Sequence, residues 1–111
     1  MNMELNQKKC VPCEGGVAAL TADESNRLLS QLSGWRIDAP VAELRKRFKF
    51  RTFMDTIAFV RRMADLAEAE GHHPDFCVRF TILDVSLTTH AIGGLSENDF
   101  ILAAKIEQLP Q

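Results

Sequence analysis

The chain has 111 residues, 46% of them hydrophobic and 25% charged, with a formal net charge of −2. That suits one domain with one core and gives no electrostatic footprint for nucleic acid. The apolar runs fall far short of the roughly 20 residues that span a bilayer, the start MNMELNQKKC lacks a leader's apolar stretch, and the three cysteines, an odd count, fit no disulfide framework, so a cytoplasmic setting is expected.

In chain order, residues 1–20 read as a flexible N-terminal arm and 21–111 as the folded domain. Thr21 followed by Glu24 at the third helical position is a capping box. Leu28, Leu29 and Leu32 then supply an apolar face, and Gly34 stops this first helix. Trp35 to Ile37 reads as a short strand. In ELRKRFKF, residues 43–50, Leu44, Phe48 and Phe50 share one face, with Glu43, Arg45, Arg47 and Lys49 on the other. Lys46 interrupts the apolar face, at a frayed end or as a snorkelling side chain.

Thr52 and Asp55 start a second helix. Its expected apolar stripe is Phe53, Ile57, Val60, Ala64 and Ala67, with Asp55, Arg62, Asp65 and Glu68 on the wet side. Gly71 falls just past its end. Phe76, Val78 and Phe80 alternate, as do Leu83, Val85 and Leu87, which gives two strands that meet near Thr81. Ser96 and Asp99 open a third helix, with Leu95 and Phe100 placed as a hydrophobic staple and Pro110 beyond its end. The order α-β-β-α-β-β-α is that of an α+β fold, a four-stranded antiparallel sheet with three helices packed on one face. Four short strands leave exposed edges, which favours pairing between subunits.

Most candidate chemistry has a plain alternative. Cys10 and Cys13 form C-x-x-C, but Cys77 does not complete a zinc set, and a redox motif would join a strand to a helix. The basic strand from Arg45 to Arg51 has no stacking aromatics on its wet side and reads as a solvated face. His72 and His73 make a stronger case. They follow a helix C-terminus, whose partial negative charge favours a protonated imidazole. Pro74 holds His73 in an extended conformation. A third histidine, His90, enters the turn AIGG, where Gly93 and Gly94 let backbone approach a flat ligand or simply make the turn. A zinc trio from these histidines has awkward geometry, because two of the ligands are adjacent. Asp99 can cap its helix, and Glu68 reads as a wet helix residue.

The spacing of these residues resembles a known signature. Glu68 precedes His72-His73-Pro74 by three residues, and Phe80, His90 and Asp99 follow after five, nine and eight more. With TTHAIGGLSENDFILAAKIE and CVPCEGGVAALTADE, this resembles the bacterial pterin-4a-carbinolamine dehydratases. The resemblance implies the α+β fold already read and a homodimer or homotetramer. It implies dehydration of 4a-hydroxytetrahydropterin to quinonoid dihydropterin and water, which recycles the cofactor of aromatic amino-acid hydroxylases, with phenylalanine hydroxylase as a possible metabolic partner. By the same resemblance His72, His73 and His90 line the pterin site and exchange protons. His73 and His90 are expected to be the main proton handlers, and His72 to aid binding and the acid step. Pro74, Thr89, Ala91 and Ile92 would meet the pterin's polar edge, and Glu68, Phe80 and Asp99 would support. No metal, bound cofactor, nucleic acid or membrane is implied. The sequence departs from the family at FCVRFTIL, where a Tyr-Asn turn is common, so a different hairpin turn is expected here. The alternatives are a non-enzymatic binding or regulatory module, a dehydratase-like protein of molybdopterin metabolism, or a small metal-binding protein.

Overall fold

A computed structural model describes residues 4–11, 18–38 and 42–111. The three helices begin where the capping residues place them. In α1, Ala22–Leu29, the Glu24 N–H donates to Thr21 Oγ1 at 3.1 Å, and the Thr21 N–H donates to the Glu24 carboxylate at 2.8 Å. In α2, Phe53–Glu70, the Asp55 N–H donates to Thr52 Oγ1 at 3.0 Å. In α3, Glu97–Glu107, the Ser96 N–H donates to Asp99 Oδ2 at 2.9 Å. Each contact satisfies a backbone donor that the first helical turn leaves open.

The strands are β1 (Arg36–Asp38), β2 (Glu43–Lys49), β3 (Asp75–Arg79) and β4 (Ile82–Leu87). They form one antiparallel sheet in the order β1-β2-β4-β3. Leu44 pairs with Leu87, Phe48 with Leu83, and Phe76 with Val85, so one face is apolar except at Lys46. The helices cover that face, as expected for the α+β class. Leu44, Phe48, Leu83, Val85 and Leu87 are buried beneath them with Phe59, Met63, Phe100 and Leu102. β1 starts one residue later than Trp35, which instead packs edge-on against Phe48 with ring centroids 6.3 Å apart. Lys46 sits on the apolar face without being buried as a bare charge. Its ammonium lies 4.9 Å from the Phe48 ring centroid and donates to Ser33 O at 2.8 Å.

Three expectations are corrected. The buried stripe of α2 is Thr56, Phe59, Met63 and Ala67, while Phe53, Ile57 and Ala64 are exposed. Apolar residues occupy two adjoining flanks of this helix, so periodicity alone does not choose between them. Residues 5–10 are not a loose arm. A short 3-10 helix, Leu5–Gln7, packs on α3, and Leu5 and Cys10 are buried. Leu5 and Cys10, five residues apart in a polar stretch, produce no periodic signal. Consequently α3 is covered nearly all round, from Asn98 to Ala104 and at Ile106. Finally, the β3–β4 connection is the two-residue loop Phe80–Thr81, in which Phe80 takes φ 55°. Cys13 and residues 39–41 lie outside the described residues.

The opposite sheet face is open, and its arginines are paired. Arg47 makes two hydrogen bonds to Asp84, which also accepts from Arg79. Arg45 meets Glu43 and Asp38, and Arg36 meets Asp38. Among the described residues, no helix is long and apolar enough to cross a membrane.

Candidate active site

The end of α2 sets the position of the histidine pair. Gly71 adopts φ 68° and ψ 24°, the left-handed cap that glycine accepts without penalty. Both Gly71 N–H and His72 N–H donate to Ala67 O, at 2.9 and 3.3 Å. The chain then leaves the helix through His72, His73 and Pro74 into β3. From the other side, β4 ends at Leu87 and leads through Thr88 and Thr89 into a short 3-10 helix, His90–Ile92. Gly93 closes it at φ 68°. Gly94 pairs with Thr89 and lies so close to Ala19 that a Cβ there would come within 2.9 Å of the Ala19 Cβ. The close approach at Gly94 is therefore to the Ala19 side chain, whereas Gly93 faces open space.

These segments enclose a cavity of about 290 Å³. His72, His73 and His90 line it together with Thr89 and Ala91. Gly71, Thr88, Asn98 and Val11 complete the wall. Pro74, Ile92, Glu68 and Asp99 do not line the cavity. Phe80 sits just past the far end of β3, 73% exposed, and does not line the cavity.

Each histidine has its own carboxylate. His72 Nε2 lies 2.6 Å from Asp99 Oδ1, with Asp99 fully buried and the His72 side chain 13% exposed. The second Asp99 oxygen accepts from Thr89 Oγ1 at 2.8 Å and from Ser96 N–H at 2.9 Å. An ionised carboxylate only accepts hydrogen bonds, so His72 donates from Nε2. In the neutral ring Nδ1 is then the free acceptor. His73 Nε2 meets Glu68 Oε2 at 2.8 Å on the surface. His90 Nε2 lies 3.7 Å from Asp75 Oδ2, an ion-pair distance rather than a hydrogen bond. Asp99 thus caps α3 and orients a histidine at once.

Sequence reasoning missed Asp75, Asn98 and Val11. Asp75 directly follows Pro74 and carries no pattern of its own. Asn98 and Val11 meet only through the packing of the N-terminal segment. The described residues contain no cluster of three or more metal-binding side chains. Cys10 is a buried free thiol, and its C-x-x-C partner is Cys13.

Together the fold and the cavity define an α+β protein in which three histidines, each beside a carboxylate, line one cavity. Residues 18–109 match the family described as pterin 4 alpha carbinolamine dehydratase, and the chain belongs to that family. A protein of Halorhodospira halophila, provisionally named a pterin-4-alpha-carbinolamine dehydratase, is 46% identical over 96% of this chain and 98% of its own. A similarly named Rickettsia bellii protein is 48% identical over 95% of this chain and 93% of its own. The crystal structure of a transcriptional coactivator/pterin dehydratase from Brucella melitensis is 32% identical, with a TM-score of 0.77 over 80% of this chain and 95% of that one. A pterin dehydratase-like protein, identified as a RuBisCO assembly factor in the alpha-carboxysome, is 28% identical, with a TM-score of 0.59 over 68% of this chain and 87% of that one.

Proposed function

We propose that this protein dehydrates a 4a-hydroxytetrahydropterin by histidine acid–base catalysis. The buried Asp99–His72 pair carries the reading. A buried carboxylate that fixes the orientation of an imidazole at a cavity also sets which ring nitrogen carries the proton, which proton transfer requires. The 4a-hydroxyl leaves poorly until it is protonated. A histidinium at the cavity supplies that proton, and the N5 lone pair expels water as the C4a–O bond breaks. A proton then leaves the pterin ring to a neutral imidazole, and quinonoid dihydropterin is released. The proton count of the enzyme is restored. His73 and His90, both exposed beside carboxylates, are the proton handlers in this reading, and His72 binds and assists the acid step. Tetrahydropterin recycling for aromatic amino-acid hydroxylation, with phenylalanine hydroxylase, is the metabolic setting we propose. A second copy of the chain is the proposed partner, because β1 and β3 are the edge strands among the described residues and Phe53, Met54 and Phe76 are exposed.

The relative named as a RuBisCO assembly factor supports a second reading, in which the same fold serves only as a binding surface. Stopped-flow dehydration separates the two. The substrate also loses water unaided, so the catalysed rate is compared with the spontaneous one. Acceleration at neutral pH that drops at least tenfold in His73→Ala and His90→Ala supports catalysis. No acceleration by the wild-type protein removes it.

A further inference from the structure

The N-terminal segment reaches the site, and a buried amide holds it there. Val11 lines the histidine cavity, yet its side chain is left open, with the residue 65% exposed. Its backbone is gripped at both polar atoms. The Val11 N–H donates to Asn98 Oδ1 at 2.9 Å, and Asn98 Nδ2 donates to Val11 O at 2.5 Å. One carboxamide thus replaces a strand partner. Asn98 is 4% exposed, a placement that hydrogen bonding must offset. The preceding residue is fixed as well. The Cys10 N–H donates to Glu70 Oε1 at 2.9 Å, and the Cys10 Sγ lies 3.6 Å from Asn98 O. Glu70 is in turn held by Lys105 at 2.9 Å.

An exposed valine on a loose segment would need no explanation. An exposed valine whose peptide is clamped by a buried side chain, at the edge of a cavity whose other large lining side chains are polar, is placed rather than left over. We propose that Val11 is a specificity-determining wall of the ligand site, giving an apolar contact to the flat face of a heteroaromatic ligand, and that Asn98 is the positioning residue that sets it there. The inference rests on the pterin reading above. A flat ring system presents its polar groups at the edge and its apolar surface on the face. The histidines and Thr89 can meet the edge, and Val11, a larger aliphatic side chain than Ala91, is available for the face. Asn98 neighbours Asp99, so one helical turn sets both this wall and the orientation of His72.

The test uses the full chain and two readouts, binding of a stable 7,8-dihydropterin by fluorescence titration and stopped-flow dehydration. Val11→Asp is expected to weaken binding and raise KM about tenfold, and Val11→Ala about threefold, with kcat changed less than about twofold. Asn98→Ala is expected to raise KM as Val11→Ala does, because the wall is present but unheld. The Val11 variants alter an exposed side chain, so they keep the test valid should Asn98→Ala fold poorly. Wild-type binding that all three variants retain within twofold overturns the wall. A wild-type protein that neither binds the dihydropterin nor accelerates dehydration overturns the pterin reading beneath it.

Discussion

His72 and Asp99 stand 27 residues apart in sequence and 2.6 Å apart in space. The bond fixes which imidazole nitrogen carries the proton and which way the ring faces. Asp99→Asn keeps an acceptor for the Ser96 N–H but allows the amide to donate to His72 Nε2, which favours the opposite tautomer. Dehydration should slow by at least about tenfold, with secondary structure retained by circular dichroism. A rate within twofold of wild type would show that the pair only caps α3.

Glu70 gives stability a pH dependence. Burial alone would raise its carboxyl, but the Cys10 N–H and the Lys105 ammonium outweigh that and hold it below the ordinary 4.5. The folded state therefore binds a proton less readily than the unfolded chain. The stabilisation is complete above the unfolded value and is lost as pH falls through the folded one. Glu70→Gln should lower stability at neutral pH by about 1–3 kcal/mol and flatten the loss below pH 4.5. Urea denaturation at a series of pH values reads both effects, and parallel curves for the two proteins would refute the assignment.

Cysteine labelling should discriminate sharply. Burial, then the neighbouring Glu70 carboxylate, push the Cys10 thiol up from 9.0 to about 12, and the thiolate is the reactive form. Cys77 is exposed. Iodoacetamide at pH 8 should modify Cys77 and spare Cys10 until the protein is unfolded, as peptide mass spectrometry would show. The sign for stability is opposite to that of Glu70. The unfolded thiol ionises first, so stability attributable to Cys10 is intact below pH 9 and declines above it.

Phe80 should tolerate replacement to advantage. At φ 55° an aromatic residue occupies a left-handed conformation that costs an L-residue about 1–2 kcal/mol. Asparagine accepts that conformation more readily. Phe80→Asn should raise stability by about 0.5–1 kcal/mol and leave dehydration at its wild-type rate, since Phe80 lies away from the cavity. A lower urea midpoint would mean that the ring contributes more than the backbone strain costs.

Features encoded locally were legible in the sequence. Thr21 with Glu24 and Ser96 with Asp99 mark helix starts because their partners are three residues away. The alternation in β2 and β4 declares the faces of a sheet covered on one side. The HHP run and its distances to His90 and Asp99 pointed to the family, and the structure brings all three histidines to one cavity. Other features needed the fold. The choice between two apolar flanks of α2 depends on what α2 packs against. Asp75 matters only because His90 returns beside it. Val11 and Asn98 are linked across 87 residues, and neither carries a motif.

The burial of Leu5 and Cys10 bears on how the protein should be handled. The match to the family's description begins at residue 18, an inviting place to trim the chain or attach a purification tag. A chain cut there would uncover one side of α3, remove the partner of Asn98 and leave Glu70 without its Cys10 donor. A weakly active or aggregating product of that truncation would reflect the missing segment, not the chemistry of the histidines. The packed core starts ahead of residue 18, and a tag on the C-terminal side respects it.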